Sequence, residues 1–159
     1  MRIPDCVRLE HEQLHARLAQ ATRVPGRTGE AARTVARIMQ RHFLREDGYA
    51  IPPLGLLRRL AHGGVTPEMA DVLPLVARLK EELPLMLEEH RAIFVALVQL
   101  SDVAREDGQR EWAELADELR HHAQMEEEVL YPAAILVGDY LKIRLEPQGA
   151  SAQCERRMQ

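Results

Sequence analysis

Cysteine is almost missing from this chain: Cys6 and Cys154 are the only two in 159 residues. They stand near opposite ends and form no C-x-x-C pair, which excludes a disulfide framework and a zinc–thiolate site and makes the cytoplasm the expected compartment. An excess of positive charge is also missing. Lys and Arg number 21 against 25 Asp and Glu, a net charge of −4, so no basic field attracts a phosphate backbone or an anionic lipid surface. Nucleic acid and membrane are excluded as expected partners, and small molecules or ions take their place. Long apolar runs are absent too. The start, Met1-Arg2-Ile3-Pro4-Asp5, meets charge at once and has no apolar core of an export signal, and no stretch reaches the length of a membrane span. Sustained alternation of apolar and polar residues is lacking as well, which excludes a sheet.

What is present is helical periodicity. A chain of this length buries roughly two-thirds of the surface its unfolded form exposes, so it needs no metal merely to fold, and any metal it holds is functional. The first helix is expected from Asp5, read as its N-cap, to about Arg23, closed by Val24-Pro25-Gly26. The second starts near Thr28, carries Val35, Ile38, Met39 and Phe43 at helical spacing, and is expected to kink at Pro52. Thr66-Pro67 opens a segment expected to break at Pro74 and Pro84 before a third main helix through His90 to about Glu106. The fourth begins near Gln109 and runs to about Arg144, with a kink at Pro132. These segments predict an all-α, up-and-down antiparallel four-helix bundle over residues 1–145. Residues 146–159 are polar, lack a periodic apolar face and read as a flexible C-terminal tail.

The chain also repeats itself. Glu10-His11 recurs as Glu89-His90, and His42-x-x-x-Glu46, followed by Ile51-Pro52, recurs as His122-x-x-x-Glu126, followed by Tyr131-Pro132. The two displacements, 79 and 80 positions, are nearly equal, so two helix hairpins read as copies. Residues four apart on a helix share a face, so each H-x-x-x-E pair aims a ring nitrogen and a carboxylate at one locus. If the hairpins pack about a pseudo-two-fold axis, four imidazoles and two carboxylates meet at the bundle centre. Such a set suits two metal ions, with Glu46 and Glu126 as bridges and coordination positions left for solvent and an incoming ligand. Iron fits this donor set best, and manganese less well. Ferritin-like bundles use two lone Glu and two E-x-x-H motifs instead, and here the lone positions are His.

This order of His, H-x-x-x-E, E-H and H-x-x-x-E-E before L-Y-P resembles the hemerythrin-like HHE cation-binding family over about residues 8 to 133. The resemblance implies a non-haem di-iron centre, two iron ions with an oxo or hydroxo bridge, on His11, His42, Glu46, His90, His122 and Glu126. It implies binding of dioxygen, nitric oxide or peroxide, as a sensor or binding module. The alternatives are a di-iron enzyme with peroxidase-like, oxidase-like or nitric-oxide-detoxifying activity, and iron storage or handling. Oxygen-carrying hemerythrins have five His and two carboxylates including an Asp, whereas this set has four His and two Glu. His15, one turn beyond His11, is the candidate fifth imidazole, and Asp47 and Glu127 are the candidate substitutes for the acid. Tyr49 and Tyr131 are candidates for an additional ligand or for a hydrogen bond to the site. Otherwise Glu127 and Glu128 read as a solvated face, Arg45 as a surface charge, and His121 as facing solvent or an interhelical hydrogen bond. A sensor needs a separate protein partner or a second copy of the chain.

Overall fold

A computed structural model of the protein describes residues 3–145. The expected C-terminal tail, 146–159, lies outside the described residues. Those described are helical, with no strand among them. Helix α1 spans Asp5–Ala21, α2 Arg27–Arg45, the short α3 Leu57–Ala61, α4 Leu73–Glu106, α5 Arg110–Met125 and α6 Tyr131–Leu145. Two 3₁₀ segments, Pro52–Leu56 and Pro67–Val72, lead into α3 and α4. Helix α4 is the hub, packing most extensively on α2 and α5. No helix among the described residues is long and apolar enough to cross a membrane.

Several boundaries differ from the sequence reading for local reasons. Pro4, not Asp5, is the N-cap of α1, and Asp5 lies in the first turn, where its charge faces the positive end of the helix. The expected breaks at Pro74 and Pro84 do not occur. Pro74 sits in the first turn of α4, where its missing N–H has no intrahelical partner to lose. Pro84 lies inside α4 but is exposed, as is Lys80 four residues before it, so the carbonyl that loses its donor faces water and the helix continues.

At the other two prolines the helix changes its winding. One π-helical turn, Glu46–Ala50, precedes Pro52, and another, Glu126–Leu130, precedes Pro132. In the first, the Ile51 N–H reaches five residues back to the Glu46 carbonyl at 2.9 Å; in the second, the Tyr131 N–H reaches the Glu126 carbonyl. Each proline lacks an N–H and would press on the carbonyl four residues upstream, and a widened turn relieves that crowding. Both widened turns begin at the glutamate of an H-x-x-x-E pair.

Two apolar clusters enclose the middle of the molecule. One contains Leu14, Leu18, Val35, Met39, Ile93, Leu97, Leu115 and Leu119. The other contains Tyr49, Ile51, Leu54, Leu79, Met86, Tyr131 and Ala134. On every main helix the repeated His and Glu positions fall between residues of one cluster and residues of the other. Fully burying one Leu or Ile side chain contributes about 1.5–3 kcal/mol, and this burial opposes the cost of the polar layer held between the clusters. Gly138 seats α6 on α4: a Cβ there would come within 2.5 Å of Val76 Cγ1. At the far end of the bundle, Arg27 pairs with Glu106 and Asp107, and the Thr28 hydroxyl donates to Asp107 at 3.0 Å, tying the start of α2 to the end of α4.

Candidate metal centre

All six repeated residues are buried. His11 and His122 are 6% and 5% exposed, Glu126 2%, His42 1%, and Glu46 and His90 not at all. They come from four helices and the two π turns: His11 from α1, His42 from the end of α2, Glu46 from the first π turn, His90 from α4, His122 from α5 and Glu126 from the second π turn. Two groups have donor atoms close enough to share a cation: His42, Glu46, His90 and Glu126 in one, His11, His122 and Glu126 in the other.

Glu126 joins the two groups. Its Oε1 lies 3.3 Å from His11 Nε2 and 2.8 Å from His122 Nε2. Its Oε2 lies 3.3 Å from His90 Nε2 and 4.0 Å from His42 Nε2. The carboxylate therefore turns one oxygen to each imidazole pair. Glu46 is less symmetric: Oε1 lies 3.3 Å from His42 Nε2 and accepts a 2.6 Å hydrogen bond from the Tyr131 hydroxyl, while Oε2 has no partner. The Nε2 atoms of His42 and His90 are 2.7 Å apart.

The donor set fits a cation. His11 Nε2, His122 Nε2, Glu126 Oε1 and Glu46 Oε2 are all buried without a hydrogen-bond partner. Each such group costs about 1–3 kcal/mol if left unsatisfied, and four of them converge on one locus. Bound cations would satisfy all four.

As protein groups alone, the cluster holds protons in the cations' place. Burial disfavours a charged His42 ring, but the nearby Glu126 and Glu46 carboxylates outweigh it and push its pKa up to about 10. Burial likewise opposes a charged His122, yet Glu126 and then Glu10 push it up to about 9. Burial and the neighbouring Glu126 charge raise the Glu46 carboxyl, whereas Glu126, although buried, is held well below the usual carboxylate range by four imidazoles. Burial and the charges of Glu46 and Glu126 raise the Tyr131 phenol, so it remains a hydrogen-bond donor.

Behind the imidazoles stands a layer that the sequence reading did not assign. His42 Nδ1 meets Glu89 at 3.2 Å, His90 Nδ1 meets Glu127 at 2.7 Å, and His122 Nδ1 meets Glu10 at 3.1 Å. A carboxylate on Nδ1 fixes the ring and leaves Nε2 to face a cation. Glu127 is thus not a solvated bystander. The signal was in the repeat: Glu10 and Glu89 each immediately precede a lone His. Arg45 is not a free surface charge either; half-buried, it donates to Glu89 at 2.5 Å and to Glu82 at 3.2 Å. The Tyr49 hydroxyl donates to Glu82 at 2.7 Å and so points into this outer network rather than at the cluster. Glu82, held by Arg78, Tyr49 and Arg45, has its carboxyl lowered to about 2.

His15 belongs to neither candidate group. Its ring stacks 6.1 Å from that of His11 and lies against Phe43, its Nε2 has no partner, and burial followed by the charge of His11 lowers its pKa. A cavity of about 240 Å³ reaches His11 and His15 between Val7, Asp47 and Ile51. His121 is exposed on α5.

These features define a helical protein with a buried His/Glu cluster suited to metal. Residues 81–146 match the family described as hemerythrin HHE cation binding domain. The match takes in His90, His122 and Glu126; His11, His42 and Glu46 lie before it and are joined to it by the packing. No curated protein and no solved structure matches the chain.

Proposed function

We propose that the chain is an up-and-down four-helix bundle, bent at the π turns before Pro52 and Pro132, that holds two iron ions and binds a small ligand such as dioxygen, nitric oxide or peroxide. The observation that carries this reading is the division of Glu126, one oxygen to His11 and His122 and the other to His42 and His90. The order of core residues supports the topology. Residues of the first apolar cluster follow the site residue on α1 and α4 and precede it on α2 and α5, as expected of helices that alternate in direction.

In this reading His42, His90, Glu46 and Glu126 hold one ion, and His11, His122 and Glu126 the other. Imidazole and carboxylate donors suit iron, and the two glutamates supply negative charge that a pair of cations needs in an apolar interior. Bound iron would supply Lewis acidity and a change of redox state. The chain's own residues position and enclose it. Glu10, Glu89 and Glu127 orient three of the rings, the two apolar clusters exclude bulk water, and the cavity between Val7, Asp47 and Ile51 gives a small ligand access toward His11. Tyr131 offers a hydrogen bond beside Glu46. The function adopted is that of a binding module or sensor in the cytoplasm, acting with a protein partner; the alternatives are an enzyme that turns over peroxide or nitric oxide, and iron storage.

The test is metal analysis of aerobically purified protein, with visible spectra before and after anaerobic reduction and re-exposure to air. Two irons per chain, with charge-transfer bands that bleach and return, are expected. One zinc per chain and no such spectrum would refute the assignment. Peroxide consumption at many turnovers per site would move the protein to the enzyme class.

A further inference from the structure

Helix α6 is apolar on both sides. Tyr131, Ala134, Val137, Gly138 and Leu141 are buried against the bundle, yet Pro132, Leu136, Tyr140 and Ile143, at spacings of four, four and three, are exposed on the opposite face. Leu136 is 66% and Ile143 72% exposed, and exposed Met125 and Val129 extend the ridge toward α5. A helix that is apolar all round belongs in an interior. Exposed Leu85, Val95 and Val98 on α4 form no comparable ridge, because the Glu88–Arg91 ion pair lies between Leu85 and the two valines.

We infer that this ridge is a homodimer interface, in which α6 packs antiparallel against α6 of a second copy. Charge chooses the occupant and its direction. Glu128 stands exposed at the start of the ridge and Lys142 and Arg144 at its end, with Arg144 over the Tyr140 ring, while Glu127 turns inward to His90 and Asp139 is paired with Lys80. An antiparallel two-fold pairing lays the acidic end of each copy beside the basic end of the other, whereas a parallel pairing sets like charges together. The area suffices. The exposed parts of the ridge side chains, counted over both copies, cover on the order of 1,000 Å², the lower bound of a specific interface. The apolar centre with a charged rim has the anatomy of such a contact.

Sedimentation velocity of the full chain over a range of concentrations tests this, with helix content and metal content checked for each variant. The wild type is expected to dimerise at micromolar concentration. Leu136→Glu, at an exposed position that leaves the bundle core untouched, is expected to weaken dimerisation at least tenfold. Lys142→Glu alone weakens it, and adding Glu128→Lys restores it. A photocrosslinking residue in place of Leu136 is expected to join two chains through α6. A wild type that stays monomeric, or a dimer indifferent to Leu136→Glu, overturns the inference. Crosslinking within one chain to residues 146–159 also overturns it, by showing that the chain covers its own ridge.

Discussion

Tyr131 holds the position in the second hairpin that Ile51 holds in the first, 80 residues earlier, and Tyr131 alone of the two brings a hydroxyl to the buried cluster. That hydroxyl donates to Glu46 at 2.6 Å and lies 3.3 Å from both His42 Nε2 and His90 Nε2. Ile51 instead borders the cavity that reaches His11. The two halves of the site are copies in backbone and differ in chemistry.

Replacing Tyr131 by Phe removes this donor and leaves Glu46 Oε1 short of a partner in an apolar setting. Hydrogen bonds to charged groups contribute about 1.5–3 kcal/mol, so Tyr131→Phe is expected to lower the stability of chelator-treated protein by about that amount. Urea denaturation measures it, and an unchanged midpoint would show that the bond contributes nothing.

Glu126 serves both imidazole pairs and Glu46 only one group. Glu126→Ala is therefore expected to abolish stoichiometric metal binding, and Glu46→Ala to reduce it below two ions per chain while retaining part of the affinity at His11 and His122. Elemental analysis after dialysis against iron reads the difference. Two ions bound by Glu126→Ala would contradict the shared carboxylate.

The carboxylates on Nδ1 orient the rings without touching the cation, and loss of such a partner typically weakens a site about 10–100-fold. Glu89→Ala and Glu127→Ala are expected to show losses of this size in competition with a chelator. His121→Ala, at an exposed position, serves as the control that leaves affinity intact.

Acidity acts on the chelator-treated protein in a defined direction. His42 and His122 are raised from 6.5 to about 10 and about 9, so their protonated rings stabilise the folded chain. This contribution is full below the unfolded value near 6.5 and is lost as pH rises through 9 to 10. Cations displace these protons, so metal-loaded protein loses this dependence and loading at pH 7 releases protons. Denaturation midpoints from pH 6 to 10, with and without metal, are expected to diverge as pH rises. Parallel curves would show that the rings are not protonated in the folded chain.

The periodicity of Leu, Ile and Val announced the helices, and the spacing of His11, His42, Glu46, His90, His122 and Glu126 announced a common locus, because i and i+4 share a helix face whatever the helix packs against. Pro84 misled, since a proline's effect depends on whether its orphaned carbonyl meets water, and that is a property of the surface rather than of the motif. Arg45 and Glu127 look like ordinary surface charges along the chain. They become part of the site only because α2 and α4 bring Arg45 to Glu89, and α4 and the second π turn bring Glu127 to His90.

The sequence by itself therefore determined the class of fold and the membership of the cluster, since both follow from local periodicity. Only the tertiary structure decided that Glu126 divides its oxygens between two imidazole pairs, that Tyr131 faces Glu46 while Tyr49 turns away to Glu82, and which carboxylate holds each ring. Apart from the i, i+4 pair of His122 and Glu126, those relationships join residues 33 to 115 positions apart, and the distances between them are set by how the helices wind and pack, through the π turns at Glu46 and Glu126 and the apolar clusters on either side.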